Sequence, residues 1–524
     1  MKNLLRWWRT VRHLRFKQLV YLVYYRWRRP TLPRRVEPIH MEQLPRMQDT
    51  LPSCASYIPP AEVELLNIRK YYRRGLEWND LNSGLLWAYH HWAIPYVHSV
   101  GVGVEEGKEL VGHFMQHVSY RDAYAPWPMS RRMVHLITWV CRHGVDDPLV
   151  HGWIREQERL LWKRLEWHLM ANHLLENLLA LAMAAVYFDD AQSAERCRSL
   201  LVAQLEEQIL PDGGHVERSP MYHAELMHRL LDLYRLQLDN PHRVRVVPLE
   251  DLSGVIAEML GWLEKMTLPD GRWAHFNDST DGVAPTTQML LDYARSMGIH
   301  HRQSTTSESG YYRLERSRYV LIVDAGEMGP DYQPGHGHCD ALSFVLYVDG
   351  QPVVVDTGVS TYERGDIRNY ERSTAAHNTV VVEGYDQAEM WASFRVGRRY
   401  RIVEVQAGPH ELVAAHDGYR HLGGLHRRRF VCEEHSVCIE DHWVAQKGGQ
   451  APEMWAYFHL HPSRTIRSAD SDTIRTDMVE LRFKGHDRWQ LEQCAIAEGF
   501  FLRRPAHCIK VRFCGTLQTE IRFT

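Results

Sequence analysis

The sequence predicts an α+β chain of two domains, a helical one followed by an antiparallel β one, on three observations. At 524 residues the chain is too long for a single hydrophobic core, which implies at least two domains. Between residues 61 and 296 apolar side chains recur at helical spacing, broken by turn-forming clusters such as Pro126-Trp127-Pro128, Pro211-Asp212-Gly213-Gly214 and Pro269-Asp270-Gly271. After about residue 310 the pattern changes to short β-rich runs, among them residues 319–323, 342–348 and 379–382.

Residues 1–60 read as a basic, aromatic arm. Eleven Lys or Arg and no acid precede Glu37, interleaved with Trp7, Trp8, Trp27 and several tyrosines. Such a segment suits an anionic membrane surface or an acidic polymer, and equally a solvated arm packed across the main domain. Its longest apolar run, residues 19–25, is too short for the core of a signal peptide and has no small-residue cleavage site. With no stretch long enough to span a bilayer, the expected location is cytoplasmic or peripheral at the cell envelope.

Residues 61–302 follow as the helical domain, whose short loops imply antiparallel helix pairs. Residues 303–524 form the β domain. There Asp349-Gly350 is a hairpin turn, and Leu342, Phe344, Leu346 and Val348 alternate with Ser343 and Tyr347, as in a sandwich whose sheets have unequal faces. The net charge of −3 gives no general reason to bind nucleic acid. Nine cysteines, dispersed and without a CxxC pair, read as reduced thiols. Aromatics at 10%, with 17 Trp, fit a carbohydrate-handling protein and fit a well-filled core as well.

Four polar clusters punctuate this plan. In Asn172-His173-Leu174-Leu175-Glu176-Asn177, Asn172 and Glu176 stand at i,i+4 and His173 and Glu176 at i,i+3, so one helix end carries a compact polar patch. In Glu217-Arg218-Ser219-Pro220-Met221-Tyr222, Ser219-Pro220 reads as an N-cap with proline at the first helical position. That puts Tyr222 in the first turn, where the helix dipole favours a phenolate. Phe276-Asn277-Asp278-Ser279 is a polar loop suited to sugar hydroxyls or a carboxylate, and turns are built from the same residues. The last is Gly335-His336-Gly337-His338, with Asp356-Thr357-Gly358 and Ala376-His377-Asn378-Thr379, where imidazoles and a carboxylate recur at strand edges. Such donors suit a borderline cation such as zinc, with a spare histidine as acid or base.

Taken in order, these motifs resemble the heparinase II/III family and the related alginate lyases over roughly residues 60–524. The resemblance implies an incomplete (α/α) toroid followed by an antiparallel β-sandwich, with an acidic polysaccharide cleaved by β-elimination in the cleft between them. By position it implies that Asn172 and His173, with Glu176, engage the substrate carboxylate, that Tyr222 and His336 are the catalytic tyrosine and histidine, and that His338, Asp356 and His377 hold a structural zinc. Glu217, Arg218, Asn277 and Asp278 join Glu176 as candidate substrate-binding residues.

Elimination needs these groups because removal of the C5 proton leaves charge on an enediolate, which Asn172 or protonated His173 would neutralise. Tyr222 is the expected acid for the C4 oxygen and, for one C5 configuration, also the base. His336 is the base for the other. A uronyl C5-epimerase shares the proton-abstraction half of this chemistry, and a non-catalytic glycan-binding or biosynthetic protein needs neither group. No carboxylate pair stands out as a glycosidase would require. A basic arm and the lack of an export signal depart from the family's secreted enzymes and point to envelope, capsule or exopolysaccharide metabolism in a bacterium.

Overall fold

The computed structural model describes residues 2–524 other than 29–32, 34, 35, 60, 74 and 447–450, so Arg29, Pro30, Arg34 and Arg35 of the basic arm lie outside the described residues. The helical domain is an incomplete (α/α) toroid. Its members include Gly84–Trp92, Pro126–His143, Pro148–Trp162, Ala171–Tyr187, Ala191–Gln208, Pro220–Asp239 and Leu249–Met266. Ala171–Tyr187 is buried along its whole length except at His173, as expected of a helix that is apolar on all sides, and Pro126–His143, Ala191–Gln208 and Pro220–Asp239 pack around it.

Helix starts follow local chemistry. Asp147 accepts from the backbone N–H of Leu149 at 2.9 Å, and Ser219 accepts from that of Tyr222 at 3.2 Å. The predicted cap with proline at the first helical position is therefore present at the start of Pro220–Asp239.

One element differs from the sequence expectation. Where helix was expected from residue 61, strands Ser56–Ile58, Glu62–Leu65 and Ile68–Tyr71 form a small antiparallel sheet. Val63 and Leu65 alternate with Glu62 and Glu64, and Leu66-Asn67, at φ 51° and 62°, supply the tight turn that a two-residue hairpin needs.

In the β domain, Tyr311–Glu315, Tyr319–Asp324, Phe344–Val348 and Gln351–Val354 form a four-stranded antiparallel sheet. It faces a larger antiparallel sheet that includes Gly424–Cys432, Ser436–Ala445, Val479–Gly499 and Leu502–Phe523. Leu321, Phe344, Leu346, Phe430, Phe458 and Phe513 fill the space between them. The predicted turn at Asp349-Gly350 is present, with both φ values positive at 49° and 75°.

Two of the connections between the domains are made by the long hairpin and the N-terminal arm. The tip of the long hairpin Val479–Gly499/Leu502–Phe523 reaches the toroid, where Phe500 joins the helical core and its carbonyl accepts from Asn67 Nδ2 at 3.0 Å. The N-terminal arm forms two helices, Lys2–Val11 and Phe16–Trp27, that lie across both domains. Arg6 and Arg9 pair with Glu389 at 3.1 and 3.2 Å, Gln18 Nε2 donates to Tyr332 O at 3.1 Å and Leu169 O at 3.3 Å, and the Tyr25 hydroxyl donates to Leu165 O at 2.7 Å. All nine cysteines are free thiols, and no helix of the described residues is long and apolar enough to cross a membrane.

Candidate active site

Asp278 is the hub where the two domains meet. Its carboxylate takes His336 Nδ1 on Oδ2 and His338 Nε2 on Oδ1, each at 2.8 Å, and both Arg368 terminal nitrogens at 2.5 and 2.8 Å. Burial opposes the charge, but Arg368 and the two imidazoles hold the carboxyl well below the usual carboxylate range. An ionised carboxylate only accepts, so His336 donates from Nδ1, which leaves Nε2 as the site of the lone pair in the neutral ring. Asp278 therefore aims the histidine and has no oxygen left for substrate.

His336 comes from the β domain and meets the helical domain face to face. Its ring centroid lies 4.0 Å from that of Tyr222, and its Nε2 lies 4.0 Å from Glu217 Oε2. Glu217 Oε1 in turn accepts from the backbone N–H of Asn172 at 3.2 Å. Asn172, Tyr222, Glu217 and His336 thus lie together where the two domains meet. Glu217 Oε2 and Asn172 Oδ1 are buried and have no protein partner there, and burial raises the Glu217 carboxyl. Tyr222 differs from the expected phenolate, because burial, reinforced by the Asp278 charge, pushes its hydroxyl well above the ordinary phenol value. The helix dipole is outweighed, and the group is a neutral hydroxyl beside the Tyr362 hydroxyl at 3.0 Å.

His173, the open residue of its helix, accepts the influence of a group absent from the motif reading. Burial works against its charge, yet Glu166, whose Oε1 lies 3.2 Å from His173 Nδ1, more than offsets this and raises the imidazole. Glu166 is itself fixed by Asn177 Nδ2 at 3.1 Å.

Three other expected substrate ligands are engaged inside the protein, although Glu176 keeps Oε2 without a partner. Glu176 accepts from Arg131 at 2.7 Å, and Arg131 also binds Glu225. Arg218 turns to the carbonyls of Glu327 and Glu308. Asn277 donates to Arg218 O and accepts from His338 N, at 3.1 and 2.9 Å. Arg218 and Asn277 carry positive φ values of 56° and 55°, as does Met170 at 61°, so the loops at the site include left-handed backbone.

Arg368, Tyr362, Phe394 and Glu166 went unnoticed in the sequence. Arg368 and Arg372, four apart in the short helix Asp366–Glu371 and its cap, are both buried between the Asp356 and His377 motifs. That spacing was the available signal. Phe394, 39% exposed, lies 5.9 Å from His336 and 5.1 Å from Tyr362, giving the site an aromatic wall.

Beyond His336, His377 Nδ1 donates to Asp356 Oδ2 at 2.8 Å, and the His338 and His377 ring centroids are 5.3 Å apart. His338 Nδ1 and His377 Nε2 are buried without partners. Burial lowers His338 to about 3, while Asp356 overcomes burial to raise His377. Two unpartnered imidazole nitrogens beside a buried carboxylate match the donor chemistry of a borderline divalent cation. With Asp356 turned to His377, however, no group of three or more His, Cys, Asp or Glu among the described residues forms a ready metal cluster.

The model of the heparinase II/III N-terminus matches residues 154–298, the segment carrying Asn172, Tyr222 and Asp278, and that of the heparinase II/III-like C-terminal domain matches residues 300–512, carrying His336, His338, Asp356 and His377. The chain belongs to the heparinase II/III family. Among curated relatives, this heparinase II/III-family chain is 24% identical over 245 residues to a heparin-sulfate lyase of Pedobacter heparinus, covering 40% of this chain and 36% of the other. It is 26% identical over 283 residues to FtsZ-localized protein C of Caulobacter vibrioides, covering 50% and 48%. It thus spans about a third to a half of the length of these relatives. The crystal structure of heparinase III shares the fold, with a TM-score of 0.67 at 16% identity over 86% of this chain and 80% of that one.

Proposed function

We propose that this chain is a polysaccharide lyase that cleaves a uronic-acid-containing glycan by β-elimination, with an acidic bacterial envelope, capsule or exopolysaccharide polymer as substrate. The observation that carries the reading is the meeting of Tyr222 and His336 from opposite domains, with His336 anchored by Asp278 through Nδ1.

In this mechanism Asn172 and charged His173 bind the uronate carboxylate and stabilise the enediolate that forms when the C5 proton leaves. His336 Nε2 takes that proton for one C5 configuration; for the other, Tyr222 takes it after first passing its own hydroxyl proton to His336 Nε2. The C5–H bond breaks, the C4–C5 double bond forms, and the C4–O bond breaks as the oxygen accepts a proton from Tyr222. No water is consumed. Tyr362 orients the Tyr222 hydroxyl, and Phe394 offers an apolar face to the sugar ring.

His338 and His377, with Asp356 as the neighbouring carboxylate, are the residues that would hold zinc. The ion would supply structural support to the loop carrying His336. The test is a screen of uronate polymers for newly formed ultraviolet-absorbing unsaturated ends. Appearance of those ends with one polymer, and their absence with Tyr222→Phe, is the expected result. Solvent hydrogen exchange at C5 without unsaturated ends would make the protein an epimerase, and neither signal with any polymer would defeat both enzymatic readings.

A further inference from the structure

The two arm helices turn their polar sides toward the protein and their apolar sides toward solvent. In Phe16–Trp27, the residues Phe16, Leu19, Val20, Val23, Tyr24 and Trp27 recur at helical spacing and form one stripe. All are exposed, Phe16 by 81% and Trp27 by 83%. Across the same helix, Gln18 and Tyr25 are buried and bonded to Tyr332, Leu169 and Leu165.

Lys2–Val11 repeats the pattern. Leu4, Leu5, Trp7 and Trp8 are exposed, whereas Arg6 and Arg9 reach inward to Glu389, and Thr10 donates to Val396 O at 3.0 Å. A helix resting on a domain in water has the opposite arrangement. Of the 25 large hydrophobic residues exposed among the described residues, ten lie within residues 4–27, which makes this a patch and not scatter.

We propose that this pair of helices is a docking surface for an anionic lipid bilayer, with the stripe seated at the boundary of headgroups and acyl chains and the surrounding basic residues on lipid phosphates. Charge selects this occupant. The sequence places eleven Lys or Arg and no acid before Glu37, and Arg12, Lys17, Arg26 and Arg28 stand exposed beside the stripe. A second copy of the chain would bring like charge against like charge. An acidic polymer would satisfy the guanidinium groups but leave the stripe in water. A bilayer takes both, and the indoles of Trp7, Trp8 and Trp27 suit its interface. Because Gln18 is tied to Leu169 and Tyr332, which flank Asn172 and His336 in the chain, the bound arm also sets the orientation of the domain junction to the membrane.

The test is flotation of the full chain with phosphatidylcholine vesicles, with or without about 30 mol% phosphatidylglycerol. The full chain should float with the anionic vesicles. A Phe16→Ser, Val20→Ser, Trp27→Ser variant, whose altered side chains face solvent, should keep its melting temperature and lose partitioning by about tenfold or more. Arg12→Glu with Arg26→Glu should remove the preference for phosphatidylglycerol. Failure to float with either vesicle overturns the proposal. So does retention of a polyuronate by the arm with vesicles ignored, or a dimer in solution that the triple serine variant abolishes.

Discussion

On the helical wall of the domain junction, Asn172, His173 and Tyr222 lie in the first turns of two helices, and Asn172 keeps a buried oxygen without a protein partner. On the β wall, His336, His338 and His377 are each tied to a buried carboxylate, and the Asp278 carboxylate is further clamped by Arg368. The helical wall is therefore less tied up within the protein, whereas the β wall uses its charges to hold ring orientation. Substitutions on the two walls should separate accordingly, with chemistry failing on one side and stability together with chemistry failing on the other.

The largest effect is expected at Asp278. Asp278→Ala leaves Arg368 charged and buried without its partner, which costs about 3–5 kcal/mol and releases His336 as well, so thermal unfolding and turnover should both collapse. The Asp278 carboxyl is lowered by folding. Its stabilising contribution is present above the ordinary carboxylate pKa and is lost as pH falls through the lower folded value, and an acid-unfolding curve that Asp278→Asn leaves unchanged would contradict the hub.

Tyr222→Phe should break the comparison in the other direction, lowering elimination by about 10²-fold or more while the melting temperature holds. Near-normal turnover would remove Tyr222 from the mechanism. Asn172→Ala should reduce kcat by roughly tenfold to a hundredfold with a smaller change in KM, as expected of a contact that strengthens in the transition state.

His338→Ala or Asp356→Ala should lower thermal stability and zinc content together. Metal analysis of the unaltered protein that finds no zinc, with melting unchanged in the variants, would remove the metal from the β wall. The subtlest effect concerns His173, whose pKa folding raises. Its charged form, and the stability that Glu166 lends it, are fully present below the ordinary imidazole pKa and are lost as pH rises through the raised folded value. Turnover should therefore decline on the alkaline side, and His173→Gln should flatten that limb of the pH profile.

Much of this architecture is written in local pattern. Helical periodicity, the Ser219-Pro220 cap, the Asp349-Gly350 turn and the change to β-rich runs are short-range signals, and the residues they predicted adopt those structures because backbone capping and alternation act within a few positions. Residues 61–71 form strands where helix was expected, because a few residues of apolar pattern cannot separate helix from strand when the deciding feature is a two-residue turn with positive φ.

At the site, the sequence by itself determined which chemical groups are present: the Asn172-His173 patch, Tyr222, the histidine pair and Asp356. Tertiary structure alone decided their roles. It brought Arg368 across 90 residues to Asp278, converting an expected sugar ligand into a structural hub, and it buried Tyr222 so that desolvation outweighed the helix dipole. It also assigned Glu176 to Arg131. The physical reason is that charge state and hydrogen-bond availability depend on what surrounds a group in three dimensions, and low-dielectric neighbours from distant segments contribute more than residues beside it in the chain.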